Sequence, residues 1–380
     1  MASPTWHSGG TLDTWIELPN SDLNASGVME TGGMEVVDAW GGGVIVTGGL
    51  YIGSVQTAGT FLVIFGGGHT NYSGNEVYAY GPLENDSPVW QKLRAATSPA
   101  PTNVDEDGSG NPVSRHTYDA LVYVDDGTRN WMMCMGILYS YSASNGYNSV
   151  HRFDFDVASP ASNLPWAKRA DAYGAANITA YEPLSGRVWY YVSGANHVGY
   201  FDVAANTKTD ALYKSPVGAG GNTASDIDTS RGLWAWWSSS GGISFYRTNN
   251  GVSNDYYVPT TTGTAPSGQG SILYDSVADV FRVRLDADGK KIWTLTPPAS
   301  NPYAGGNAWT WSSATPGTGA TPDTGNAQGT FGRFGYSPNA DVKGYVLMNN
   351  PDGKIYFYKS AASVGGSTPK FRASLLGVGM

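Results

Sequence analysis

The chain has 380 residues, a formal net charge of −9, 41% apolar and 13% aromatic content, and one cysteine. The acidic balance and the absence of a Lys/Arg stripe argue against nucleic acid or an anionic membrane surface as partners, because phosphate binding needs clustered cations. No 18-residue apolar run suggests a membrane-spanning helix, and a lone cysteine excludes an internal disulfide.

In chain order, the first element expected is a short strand at residues 14–18, Thr-Trp-Ile-Glu-Leu. Next comes an inner strand opening at Glu35, with Asp38 as its anchor, then a long hairpin over residues 41–60 and strands at 75–80 and 89–93. A second set follows at 121–124, 131–134, 149–154 and 165–168, its first pair joined across Asp125-Asp-Gly-Thr128. A third runs through 178–181, 188–191, 197–202 and 209–213, turning at Leu184-Ser-Gly186. The fourth turns at Ser230-Arg-Gly232 and continues at 242–247 and 255–258. The fifth turns at Ser276-Val-Ala-Asp279 and continues at 291–296 and 308–311. The sixth turns at Asn339-Ala-Asp341 and ends at 353–358, without a fourth run. Each run is short and rich in β-branched or aromatic residues, and the turns are polar, which favours strands and hairpins.

Residues 14–18 have the form of the run that the sixth set lacks. Six copies, the last completed from the N-terminus, predict an all-β six-bladed β-propeller. Its blades are four-stranded and antiparallel, in one domain over residues 1–360, with residues 12–19 completing the last blade. The alternative is that residues 14–18 form an ordinary first strand. Asp38, Asp119, Glu182, Asp228, Asp275 and Ser337 are taken as equivalent inner-strand positions. Long Pro/Gly/Ser/Thr-rich connectors at 98–114 and 297–325 are where inserted loops can carry function.

Phe65-Gly-Gly-Gly-His-Thr70, followed by Gly74-Asn-Glu-Val-Tyr-Ala-Tyr80 and Trp90, resembles a kelch repeat. Ser114-Arg-His-Thr-Tyr-Asp119 and Gly332-Arg-Phe-Gly-Tyr336 look like inner-strand openings in bacterial and phage proteins of the kelch, galactose-oxidase-like group. The resemblance is sharp over about residues 60–155 and 325–360 and vague between them. It implies a propeller and says little of function, since propellers host unrelated activities.

Three groups of residues are candidate sites. Glu35, His69, Arg115, His116 and Arg333 fall at strand ends beside the expected axis. They form either a channel-mouth site, with two arginines holding an anion or a glycan carboxylate, or a structural network tying blades together. Tyr139, Tyr141, Tyr147, Trp309 and Trp311 lie in segments read as irregular, and are expected to be exposed for stacking on a ligand; the run 139–147 has a paratope-like Tyr/Ser/Gly/Asn composition. Residues 361–380 leave the repeat pattern and read as a flexible linker with an apolar end, an attachment peptide or a frayed terminus.

No cofactor is expected. The resemblance raises a copper centre, but His69, His116, His151 and His197, even with Tyr118, match no ligand set of that family. Asp105-Glu-Asp-Gly-Ser-Gly-Asn111 and Asp286-Ala-Asp-Gly289 are incomplete as calcium loops and read as solvated turns, leaving room only for a weakly held structural Ca²⁺. Cys134, between Met133 and Met135, reads as an inert buried thiol.

The opening Met1-Ala-Ser-Pro-Thr-Trp6 shows no export leader, yet 14% charged residues and many Gly, Ser, Thr and Asn suit an outside surface. The expectation is a non-catalytic binding or assembly module on a phage virion or an extracellular surface. It would contact other virion or surface proteins through residues 361–380, and a receptor or glycan through its loops. The competing expectations are a carbohydrate-active enzyme or a galactose-oxidase-like oxidoreductase, and a cytoplasmic location.

Overall fold

The computed structural model describes residues 3–30, 41–67, 74–98, 106–135, 149–157, 166–171, 176–192, 197–214, 223–240, 242–248, 256–303, 306–325, 329–349 and 354–360. These form a six-bladed β-propeller. Blade one runs outward through Gly42–Val46, Phe61–Phe65, Val77–Gly81 and Val89–Arg94. Blade two is Leu121–Asp125, Asn130–Cys134, Ser149–Asp154 and Trp166–Asp171. Blade three is Ala176–Glu182, Arg187–Val192, His197–Asp202 and Thr207–Lys214, and blade four is Thr223–Asp228, Leu233–Ser238, Gly242–Arg247 and Tyr256–Tyr257. Blade five is Gly270–Asp275, Val280–Leu285, Ile292–Thr296 and Trp309–Ala314; blade six begins Phe334–Ser337, Gly344–Leu347 and Tyr356–Lys359.

The outer strand of blade six comes from the N-terminus. Thr14–Glu17 pairs antiparallel with Tyr356–Lys359, from Thr14 opposite Lys359 to Glu17 opposite Tyr356. Trp15 is buried and donates its Nε1–H to the Lys290 carbonyl at 2.9 Å, while the Ala320 amide donates to the Trp15 carbonyl at 2.8 Å. The Lys359 ammonium donates to the carbonyls of His7 and Gly10, pinning the preceding segment. The closure therefore covers an edge that would otherwise stay open.

Apolar side chains pack between neighbouring blades. Blades four and five share Trp237, Phe245, Phe281, Trp309 and Trp311, with Phe245 and Trp309 stacked at 4.6 Å. This corrects one expectation: Trp309 and Trp311 are 1% and 4% exposed, in the fourth strand of blade five, and are core rather than ligand-facing. Alternation buries both, since the strand reads buried–exposed–buried from Trp309 to Trp311. Cys134 is buried in a strand.

Three further features differ from the sequence reading. The inner strand of blade one is Gly42–Val46, not the segment at Glu35 and Asp38, which lies outside the described residues. Its glycines look like loop but are required by crowding at the hub: a Cβ on Gly42 would sit 2.4 Å from the Tyr118 carbonyl oxygen. Asp119 precedes its strand, so the residue equivalent to Glu182, Asp228 and Asp275 is Asp125, at the hairpin end. Blade five carries an added fifth strand, Thr261–Thr262, parallel to its fourth.

Candidate functional site

Each inner strand ends in a hairpin, so all six inner hairpins lie on one face of the ring. The inner-strand starts lie on the opposite face. Arg333 stands at such a start and Arg115 lies a few residues before one; both are buried. The Arg333 guanidinium donates from Nε to the Met348 carbonyl at 3.1 Å, from Nη2 to the Gly329 carbonyl at 2.8 Å, and from Nη1 to the Gly41 carbonyl. It thus ties blade six to the start of blade one. Arg115 donates from Nε to the Val113 carbonyl at 3.2 Å. His116 is buried, its Nδ1 3.2 Å from the Tyr118 hydroxyl. Glu35, His69, Tyr139, Tyr141, Tyr147 and residues 361–380 lie outside the described residues. None of Arg115, His116 and Arg333 lines the central cavity, so the predicted channel-mouth cluster does not form an open site from these three.

The cavity opens instead on the hairpin face, as a cup of about 470 Å³ walled by all six inner strands. Thr47, Pro183, Thr229, Ser276 and Pro338 form its rim. Below them stand four tyrosines, Tyr123, Tyr181, Tyr274 and Tyr336. Tyr181, Tyr274 and Tyr336 are each the last residue but one of an inner strand. Each of these rings edges the cup while packing against its neighbours, with Tyr274 5.1 Å from Phe281 and Tyr336 6.0 Å from Tyr345 between centroids, and the next residues, Glu182, Asp275 and Ser337, face the other way. The acids are occupied structurally. Glu182 accepts from the Thr248 hydroxyl at 2.7 Å, and Asp275 accepts from the Tyr345 hydroxyl at 2.7 Å.

Asp119 and Asp226 bring two carboxyl groups into the cup. Asp119 Oδ2 accepts from the Ser225 amide at 2.5 Å and from its hydroxyl at 3.1 Å. Its backbone bonds to blade three, accepting from the Thr179 amide at 3.0 Å and donating to the Asn177 carbonyl at 3.1 Å. On the other side, a Cβ placed on Gly332 would lie 3.0 Å from Asp119 Oδ1 and 2.3 Å from the Gly43 carbonyl oxygen, so only glycine fits where blades six and one meet this side chain. Asp119 therefore sits at the hub floor, touching residues of several blades. Asp226, partly open to the cup, accepts from the Tyr274 amide at 2.7 Å through Oδ2 and from its neighbour Ile227's amide at 2.8 Å through Oδ1.

Burial pushes the Asp119 carboxyl well above the usual range, against the two Ser225 donors, with Asp226 adding in the same direction. Burial raises Asp226 to about 6, opposed by its two backbone donors and assisted by Asp228. Burial thus makes both carboxyl groups weaker acids than exposed ones. Burial also lifts Tyr181, Tyr274 and Tyr336, aided by nearby aspartates, so these phenols stay neutral. Among the described residues, the cup lining contains no Lys, Arg or His.

Among the described residues no three His, Cys, Asp or Glu side chains gather around one point. His151 is buried with its Nε2 3.6 Å from Glu106, away from His116 and its Tyr118 partner. Asp107, in the first acidic segment, accepts from Ser109 and Asn111 amides and from the Thr97 hydroxyl, which uses both its oxygens in closing a turn. Asp288, in the second, accepts from Trp293 Nε1 at 2.6 Å.

No family model matches the chain, and no curated protein sequence matches it. Solved structures do resemble it. A structural genomics protein of unknown function from Bacteroides thetaiotaomicron aligns at TM-score 0.51 and 10% identity, over 90% of this chain and 75% of that one. A streptogramin B lyase structure aligns at TM-score 0.38 and 13% identity, over 84% and 98% of the two chains. The Malassezia sympodialis allergen Mala s 1 aligns at TM-score 0.45 and 9% identity, over 85% and 94%. At such identities the likeness is one of fold, and only the first reaches a score that supports even that.

Proposed function

We propose that this chain is a non-catalytic binding module that takes a small polar ligand, a glycan terminus, into the tyrosine-lined cup. The observation that carries the reading is the cup itself. It is concave and preformed, with aromatic rings and a few polar groups held on rigid inner strands, the usual make-up of a small-ligand site. Tyrosine faces suit the apolar faces of sugar rings, and the hydroxyls of Thr47, Thr229 and Ser276 stand at the rim for sugar hydroxyls.

We further place the module on the outside of a particle or cell, a phage virion being the preferred setting. The sparse charge and the Gly-, Ser- and Thr-rich composition support that placement. So does the resemblance of residues 60–155 and 325–360 to kelch-type propellers of bacteria and phages. Residues 361–380 would be the attachment to neighbouring particle proteins.

A glycan array probed with the full chain and with a Tyr181→Ala/Tyr336→Ala variant tests the reading. Binding by the parent, lost about tenfold or more in a variant with an unchanged circular dichroism spectrum, is expected. An array with no bound glycan, or equal binding by the variant, overturns it. One observation favours a second reading, a carbohydrate-active enzyme: two carboxyl groups, both made weaker acids by burial, share the cup, and paired carboxyl groups serve as acid and base in glycoside hydrolysis. Turnover of a bound glycan, abolished by Asp226→Asn, would establish that reading over the first.

A further inference from the structure

The cup's charge and surface narrow the class of sugar it accepts. Among the described residues, two carboxyl groups and four tyrosines line it, and no basic side chain does. The chain as a whole is also acidic, at −9. An anionic ligand would meet a carboxylate with no cation to offset it, in a walled space where charges are poorly screened. A neutral ligand would leave Asp226 without a charged partner, since its donors among the described residues, Ile227 and Tyr274, are both backbone amides. Each carboxylate oxygen has a second lone pair free for a further donor. The half-buried Tyr181 and Tyr336 rings edge the same cup, and an electron-rich ring attracts an ammonium group.

We infer that the ligand is a sugar bearing a free ammonium group, a hexosamine without its N-acyl cap, seated with the ammonium on Asp226 and the ring between tyrosines. Asp119 takes a different part. Both Ser225 donors go to its Oδ2, so it holds the floor together while Asp226 meets the ammonium. The size agrees with this assignment: about 470 Å³ admits one or two sugar rings but not a folded segment of protein. The rim hydroxyls of Thr47, Thr229 and Ser276 separate the sugar from a simple alkyl amine, which has nothing to bond to them.

The inference rests on the cup being the binding site, and its test separates the two. Calorimetric titration of the full chain uses four probes: methyl glucosaminide, its N-acetyl form, methyl glucoside and butylamine. The aminosugar is expected to bind about tenfold more tightly than either neutral sugar, the size of one charge-assisted contact. Asp226→Asn should remove that preference, and Tyr181→Ala should weaken all three sugars together. Equal binding of the neutral sugars, lost in Tyr181→Ala, would overturn the ammonium assignment and leave the cup as the site. Butylamine binding as tightly as the aminosugar would overturn the saccharide. Failure of all four probes would overturn the inference and remove the support for the cup as a sugar site. The probe comparison is made on the unaltered chain, so it decides the inference even where a substitution unfolds the protein.

Discussion

Arg333 shows how a residue that looks like a ligand-binding cation can be consumed by the fold. Three of its nitrogens donate to carbonyls of Met348, Gly329 and Gly41, which belong to blade six, the segment before it and the start of blade one. A lysine carries its donors on one point and cannot reach three carbonyls set around a planar fork. Arg333→Lys is expected to cost about 2–4 kcal/mol, because buried carbonyls lose their partners. Urea unfolding checks this, with the sugar titration unaffected in the folded fraction. A variant as stable as the parent would return Arg333 to the list of candidate ligand contacts. The sequence showed the arginine at an inner-strand start but could not show which way its guanidinium turns. The same holds for Tyr181, Tyr274 and Tyr336. They stand one residue ahead of Glu182, Asp275 and Ser337, which the repeat pattern had marked. The period-two alternation that turns the acids one way turns the rings the other, where they edge the cup, and that signal could have located the cup. Asp119 was visible too, but was placed at the wrong end of its strand.

At the scale of the strand, most of the fold was written plainly. The third strands of blades two, three and four, Ser149–Asp154, His197–Asp202 and Gly242–Arg247, begin and end where their aromatic and β-branched runs do. The N-terminal strand was recognisable because Thr-Trp-Ile-Glu-Leu repeats the form of residues 89–93. The elements that escaped are those whose composition is set by crowding or shortness. Gly42–Val46 hides behind glycines that the hub requires, and Thr261–Thr262 is only two residues long. The closing strand is also the most testable element. Trp15 is wholly buried beside Tyr358, at 5.3 Å between ring centroids, and anchors to Lys290 in blade five. Trp15→Ala is expected to destabilise the protein by about 3–5 kcal/mol, the range for deleting a large buried aromatic. Limited proteolysis should then cut first within residues 3–17. Cleavage elsewhere in the ring at the parent's rate, with the N-terminus still protected, would show that the strand is held by other contacts.

The molecule as a whole should respond to pH through its buried carboxyl groups. Burial raises Glu76 to about 7, against hydrogen bonds including that from the Tyr78 hydroxyl; burial also raises Asp226 to about 6 and Asp119 well above its ordinary value. Between the ordinary carboxyl range and about pH 7 the native state therefore holds protons that the unfolded chain has released. Stability is then fully present below that range and is lost as pH rises through it. His7 works the other way: burial, then Lys359, lowers it, so its contribution fades as pH falls below 6.5. Three carboxyl groups outweigh one imidazole, and the midpoint of thermal unfolding is expected to be higher near pH 5.5 than near pH 8, by an amount corresponding to about 2 kcal/mol. Glu76→Gln should flatten that slope and raise stability at the alkaline end. A midpoint that climbs with pH would mean these carboxyl groups are better solvated than their surroundings indicate.

The order of synthesis gives the seam in blade six a further meaning. Thr14–Glu17 leaves the ribosome well before its partner Tyr356–Lys359. At ordinary elongation rates the early strand waits on the order of tens of seconds with its tryptophan uncovered. During that interval any nascent neighbour on the same messenger presents an equivalent vacancy, and an exchanged strand would be bonded as well as a native one. Correct self-capture is thus a race between tethering within one polypeptide and encounter between two, which dilution and slower expression would tilt toward the monomer.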